Sequence, residues 1–156
     1  MNADVARFVK LVQKNKIRLA FAESVTCGLV ASELCTTKGT SDVLAGSIVC
    51  YDPEVKKKLL GVPGRLIRKH SAESEKVTRK LAKNLADLIH ADIYAAVTGL
   101  AADDDDAKHP AGTIFICVYD GKKCFSEKKL FRGTPLEIRK KACLAVFRLI
   151  SERLKK

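Results

Sequence analysis

Ala22-Glu23-Ser24-Val25-Thr26-Cys27-Gly28 follows the short apolar run Leu19-Ala20-Phe21 and opens into a helical pattern carrying Leu29, Val30 and Leu34. A strand turning directly into a helix holds Ser24 rigidly, close to backbone N–H groups that can stabilise an oxyanion. Downstream, Tyr51-Asp52-Pro53-Glu54-Val55-Lys56 sets a lysine just inside a second helix. Serine needs a base to become a nucleophile, and a neutral lysine can serve where no histidine is available. The pair points to a serine amidohydrolase. On motif alone, the same Ser-x-Thr-x-Gly segment also reads as an ordinary helix cap.

Outward from this stretch, strands and helices alternate. Val5, Phe8, Val9 and Val12 recur at helical spacing and predict an amphipathic first helix over residues 3–15. A strand over 18–21, the helix after Ser24 and a buried strand over 43–51 follow. Asp52 is a good N-cap and Pro53 suits the first helical position, so a short helix runs to Leu60, with Val55 and Leu59 marking its buried side and Lys56 at the border, before Gly61-Val62-Pro63-Gly64 breaks it. A long helix starts near Ser74 with Val77, Leu81, Leu85 and Leu88 on one side, and a strand over 93–97 ends at Thr98-Gly99. Residues 112–119 form another apolar strand, and Asp120-Gly121 signals a hairpin returning through Cys124 to Phe131. Thr134-Pro135-Leu136-Glu137 is a capping box, and the last helix runs nearly to Lys156. The expected fold is α/β: a three-layer α/β/α sandwich with a mixed, mostly parallel sheet, in a single domain over 1–156. Ligands of such sheets sit beyond the carboxyl ends of the strands. Ser24, Tyr51 and Thr98 all lie at such ends, which implies one shared site.

Composition narrows the function classes. With 156 residues and 47% apolar content, the chain can bury a real core. No apolar run approaches the ~20 residues that span a bilayer, and the amphipathic start lacks a signal-peptide core, so a cytoplasmic protein without a membrane partner is expected. Cys27, Cys35, Cys50, Cys117, Cys124 and Cys143 show no Cys-x-x-Cys spacing and read as reduced small hydrophobes, not as a metal site or a disulfide framework. His70, His90 and His109 have no metal-like partner at useful spacing, and no cofactor is called for. The net charge of +11, from 29 basic and 18 acidic residues, attracts phosphates, either on a mononucleotide or on nucleic acid. The lysines are spread through helices and hairpins without the aromatic interleaving of a single-strand binder.

Together the motifs resemble the CinA C-terminal domain family, whose enzymatic members are nicotinamide mononucleotide deamidases. Ala22 to Gly28 is similar to its Ala-Glu-Ser-x-Thr-Gly-Gly, and Tyr51 to Lys56 with Leu60-Gly61-Val62 to its Tyr-Ser-Asn-x-x-Lys run and following turn. Glu73-Ser74-Glu75 stands at its Val-Ser-Glu, Thr98 to Asp103 at its Thr-Gly-Ile-Ala-Gly-Pro, and His109 to Thr113 at its Lys-Pro-x-Gly-Thr. The resemblance implies Ser24 as nucleophile, Lys56 as its base and Tyr51 as an assisting hydroxyl. It places Thr26, Cys27, Gly28, Thr98, Gly99 and Arg139 in the substrate pocket, with backbone N–H groups near Cys27 and Gly28 as the oxyanion site. The implied reaction converts nicotinamide mononucleotide to nicotinate mononucleotide and ammonia.

Two departures bear on that expectation. Cys27 replaces a glycine, which is costly if the position needs positive φ. The loop after Gly99 carries Ala101-Ala102 and four aspartates, Asp103 to Asp106, where the family is rich in glycine, and an acidic run repels a phosphate. The alternative is a non-catalytic, CinA-like interaction module linked to competence or DNA damage, for which nucleic acid would be the partner. A homodimer or larger homo-oligomer is also expected, because Leu144, Val146, Phe147, Leu149, Ile150 and Leu154 cover more of the last helix than one packed face needs.

Overall fold

Alternation along the central strands sorts the apolar residues onto two faces of one sheet. The computed structural model describes residues 2–105 and 107–155. Its strands are β1 (Leu19–Glu23), β2 (Leu44–Val49), β3 (Ile93–Gly99), β4 (Thr113–Tyr119) and β5 (Cys124–Leu130), in the order β2-β1-β3-β4-β5. β1 pairs in parallel with both β2 and β3, whereas β4 runs antiparallel to β3 and to β5. β4 alone is thus reversed, and the sheet is mixed with most strands pointing one way.

Leu19, Phe21, Val97 and Ile116 point to the face covered by α1 (Asn2–Lys14), α2 (Leu29–Leu34) and α7 (Pro135–Leu154). There Phe8 of α1 stacks on Phe147 of α7 with ring centroids 4.6 Å apart. The opposite face presents the small residues Ala20, Ala22, Ala96 and Cys117, which let α6 (Glu75–Leu85) pack closely through Val77, Leu81 and Leu85. α3 (Thr40–Val43) leads into β2, and α4 (Pro53–Lys58) and α5 (Gly64–His70) precede α6. The chain runs from β1 outward to β2 and then back across to β3, so the strand order switches between β1 and β3. The crevice beyond their carboxyl ends is where such a sheet takes a ligand.

Several expectations shift. Neither α3 nor α5 was anticipated: each is under two turns long and lacks an apolar repeat. α6 stops at Leu85, so Leu88 lies in the following turn and is half exposed. In α4 the inward side is Lys56, followed by Leu60, while Leu59 is half exposed instead of marking the buried side. The apolar excess of α7 is used within the chain: Val146, Phe147, Leu149 and Ile150 are buried, with Leu144 and Leu154 packed against the same core. Those side chains therefore carry no argument for a dimer. All six cysteines are free; burial pushes the Cys50 thiol up to about 11 and Cys117 up to about 12, which keeps both unreactive. Among the described residues no helix is long and apolar enough to cross a membrane.

Two glycines with nearly equal positive φ test how the far end of the sheet is closed. Gly112 (φ 84°) donates to Leu100 O at 2.7 Å and accepts from Phe131 N at 2.9 Å, and a β-carbon there would fall on the Phe131 carbonyl. Gly121 (φ 85°), in the hairpin turn, has open space in that direction. Gly121→Ala should cost about 1 kcal/mol for the left-handed backbone alone. Gly112→Ala should cost ~3 kcal/mol or more, because backbone must move as well. Urea denaturation measures both; equal losses would contradict this packing.

Candidate active site

The site grows from the ends of three parallel strands. β1 ends at Glu23, whose pairing partners are Val49 at the end of β2 and Val97 near the end of β3. Beyond the ladder, Ser24 N donates to Val97 O at 3.0 Å and Cys50 N to Glu23 O at 2.7 Å, which fixes Ser24 over the sheet and delivers the chain to Tyr51. Asp52 then caps α4 by accepting from Glu54 N, with Pro53 at the first helical position. That start directs Lys56 inward, where it is fully buried.

Lys56 Nζ donates to Ser24 Oγ at 3.1 Å and to the Tyr51 carbonyl at 2.9 Å. Among the described residues no carboxylate forms an ion pair with it. Burial is the main influence on its amine and holds it below the ordinary lysine range, only partly opposed by Cys50, Glu73 and Asp52. Its neighbours differ: Lys57 and Lys58 pair with Glu54 at the surface, Lys58 at 4.0 Å. Tyr51 meets Lys56 through its carbonyl and not its hydroxyl; its side chain is exposed at the rim of the pocket.

The turn after Ser24 is held by a buried carboxylate. Glu23 accepts from Thr26 Oγ1 at 2.8 Å, Ser47 Oγ at 2.8 Å, Val30 N at 3.0 Å and Ala31 N at 3.1 Å. It thus satisfies two open N–H groups at the start of α2 and places a negative charge where the helix dipole favours one. Thr26 is spent on this brace, and its carbonyl accepts from Arg139 Nη2 at 2.9 Å. Cys27 has φ 50° and Gly28 φ 89°, so the turn does require two left-handed residues. The Cys27 N–H donates to the Ser24 carbonyl at 3.0 Å and is not open to a ligand. Among the described residues the Val25 N–H donates to no protein acceptor and Val25 lines the cavity, so it is placed to receive an oxyanion; Thr26 is fully buried, and neither it nor Gly28 lines the cavity.

Above the pair opens a cavity of about 800 Å³, lined by Ser24, Cys27, Tyr51, Gly99 and Arg139 among others. Thr98 does not line it; its hydroxyl is buried 2.8 Å from that of Thr78 and ties β3 to α6. Four acidic wall residues were missed as site residues: Asp52, Glu73, Asp103 and Asp104. Glu73 is half-buried in the loop before α6, and among the described residues its carboxylate has no hydrogen bond or ion pair. No periodicity flags a loop carboxylate, although its departure from an apolar family position was a readable signal. No group of three or more His, Cys, Asp or Glu among the described residues is placed to hold a metal ion.

Cys27 gives the turn a test. A non-glycine left-handed residue costs on the order of 1–2 kcal/mol, so Cys27→Gly should leave stability unchanged or raise it by about 1 kcal/mol. A β-branched residue tolerates this backbone least, so Cys27→Val should lose ~2 kcal/mol. Thermal and urea unfolding of both variants check this; a stable Cys27→Val would contradict a left-handed turn.

Comparison with known proteins agrees with the geometry. A family model for the CinA C-terminal domain matches residues 2–154. A CinA-like protein of Thermosipho melanesiensis is 36% identical over 146 residues, covering 92% of this chain and 36% of that protein. A CinA-like protein of Prochlorococcus marinus is 36% identical over 149 residues, covering 91% of this chain and 34% of its own length. The chain thus spans about a third of the length of these curated relatives. Among solved structures, competence damage-inducible protein A of Klebsiella pneumoniae superposes with a TM-score of 0.94 at 26% identity, covering 99% of this chain and 96% of the other. A CinA superfamily protein of Escherichia coli superposes with a TM-score of 0.87 at 25% identity, covering 98% and 88%. With motif order, sheet topology and family match all in agreement, the chain belongs to the CinA C-terminal domain family.

Proposed function

We propose that this chain is a serine amidohydrolase that releases ammonia from the carboxamide of nicotinamide mononucleotide or a close relative. The observation that carries the reading is the buried Lys56 amine 3.1 Å from Ser24 Oγ, with no carboxylate ion pair among the described residues. A charged amine there would be costly, so the neutral form is favoured, and only that form can take a proton. Ser24 Oγ attacks the carboxamide carbon as its proton passes to Lys56 Nζ. The carbonyl oxygen becomes an oxyanion beside the Val25 N–H at the cavity wall. Lys56 returns the proton to the leaving nitrogen, and ammonia departs from an acyl-serine. Water, losing its proton to Lys56, hydrolyses that ester and frees the carboxylate and Ser24.

The purified chain should release ammonia from nicotinamide mononucleotide, and Ser24→Ala should abolish it. Lys56→Ala should lose about 10²–10⁴-fold in kcat, the usual contribution of a general base. Lys57→Ala and Lys58→Ala should stay within about twofold. Below the lowered Lys56 pKa the amine is protonated and inactive, so kcat should rise with pH through that value and then level. Comparable losses in all three lysine variants, or a rate that falls as pH rises, would overturn the dyad. Salt-sensitive nucleic-acid binding without ammonia release would support the interaction module instead.

A further inference from the structure

The charge of the pocket is opposite to that of the protein around it. The chain carries +11 overall, yet the cavity wall includes the carboxylates of Asp52, Glu73 and Asp103. Two of them, Glu73 and Asp52, act on Lys56, whose amine burial nonetheless holds below the ordinary lysine range. The one cationic side chain of the wall with a standing charge is Arg139, and its Nη2 is already engaged by the Thr26 carbonyl. Its Nε is buried and has no partner among the described residues, which favours an anion on that side of the wall. Against it, the Glu73 carboxylate makes no ion pair among the described residues, and Ala101-Ala102-Asp103 occupies the loop beside Gly99. A β-carbon at Gly99 would fall on the Thr113 carbonyl and Ile114, so the loop leaves the sheet from closely packed backbone.

We propose that this acidic wall selects a cationic, unphosphorylated N-ribosyl pyridinium carboxamide over its phosphomonoester. The inference rests on the amidohydrolase reading for the reacting group and adds the charge class of the rest of the ligand. An N-ribosyl pyridinium carries one positive charge, which the three carboxylates attract. A phosphomonoester adds about −1.5 to −2 charges near neutral pH, so the nucleotide is a net anion facing like charge. Partly exposed carboxylates at such range change affinity by about tenfold in total, not by many orders. Their effect must also weaken as salt screens them.

The test is equilibrium binding to Ser24→Ala protein, so that ligand is not consumed, using nicotinamide riboside and nicotinamide mononucleotide as probes at low and moderate salt. The riboside should bind about tenfold more tightly at low salt, with the ratio shrinking as salt rises. Adding Glu73→Gln and Asp103→Asn should bring the two ligands within about threefold. Glu152→Gln combined with Asp87→Asn, two exposed residues outside the cavity wall, changes net charge equally and should leave the ratio as it was. Tighter binding of the nucleotide, no measurable riboside binding, or a ratio unmoved by the wall variants would overturn the inference. Ammonia release by the unmodified chain is scored separately. A riboside preference without ammonia from either probe would sink the amidohydrolase reading and leave the charge selection standing. Ammonia from both with the nucleotide bound more tightly would do the reverse.

Discussion

A lysine amine buried without a carboxylate ion pair is an expensive thing for a domain to keep, and the architecture around Ser24 holds it in place. An ordinary interior lysine is paired or neutral. Here Nζ has two neutral acceptors, the Ser24 hydroxyl and the Tyr51 carbonyl. Both are delivered by strand ends: Ser24 by β1 against β3, and Tyr51 by the residue that follows Cys50 out of the sheet. The Asp52 cap and Pro53 set where α4 begins, and so which lysine of Lys56-Lys57-Lys58 turns inward. Moving any of the three supports would leave a buried amine unsatisfied.

The second constraint is electrostatic and local. Glu23, fully buried, makes its four hydrogen bonds at the start of α2 and on β2, so it acts as a structural brace for the Ser24 turn. The turn it anchors carries left-handed backbone at Cys27 and Gly28 and brings Val25 and Cys27 to the cavity wall beside the nucleophile. Packing and chemistry are therefore coupled in one turn. The acidic wall is different: Glu73 and Asp103 sit on loops and hold up nothing visible, which makes them free to tune what enters.

Much of this was legible from residues alone. Short apolar runs and the Asp120-Gly121 hairpin signal marked the five strands, helical spacing marked the long helices, and Asp52-Pro53 and the Thr134 capping box marked helix starts by side-chain chemistry that the structure contains. Ser24 and Lys56 were paired through strand-end logic and family spacing. What escaped was decided by tertiary context. Leu59 looked like the buried side of α4 because it is apolar, yet the inward direction is set by the Asp52 cap and falls on Lys56. Thr98 lies at a strand end, but strand alternation turns its hydroxyl towards Thr78 and away from the cavity. Tyr51 was chosen for its hydroxyl, whereas the group that touches Lys56 is its carbonyl, an atom every residue carries. Glu73 sits in a loop without periodicity, and its only sequence signal was a carboxylate where the family motif has valine.

The central claim is that the Lys56 amine is neutral at working pH while hydrogen-bonded to Ser24. Titration of the lysine side-chain nitrogens by NMR in ¹⁵N-lysine-labelled protein addresses it without reference to any substrate. One amine should titrate well below the ordinary lysine value of about 10.4, and its resonance should vanish in Lys56→Met while the others stay in place. If every lysine titrates in the ordinary range, Lys56 is charged in the folded protein and cannot act as the base for Ser24.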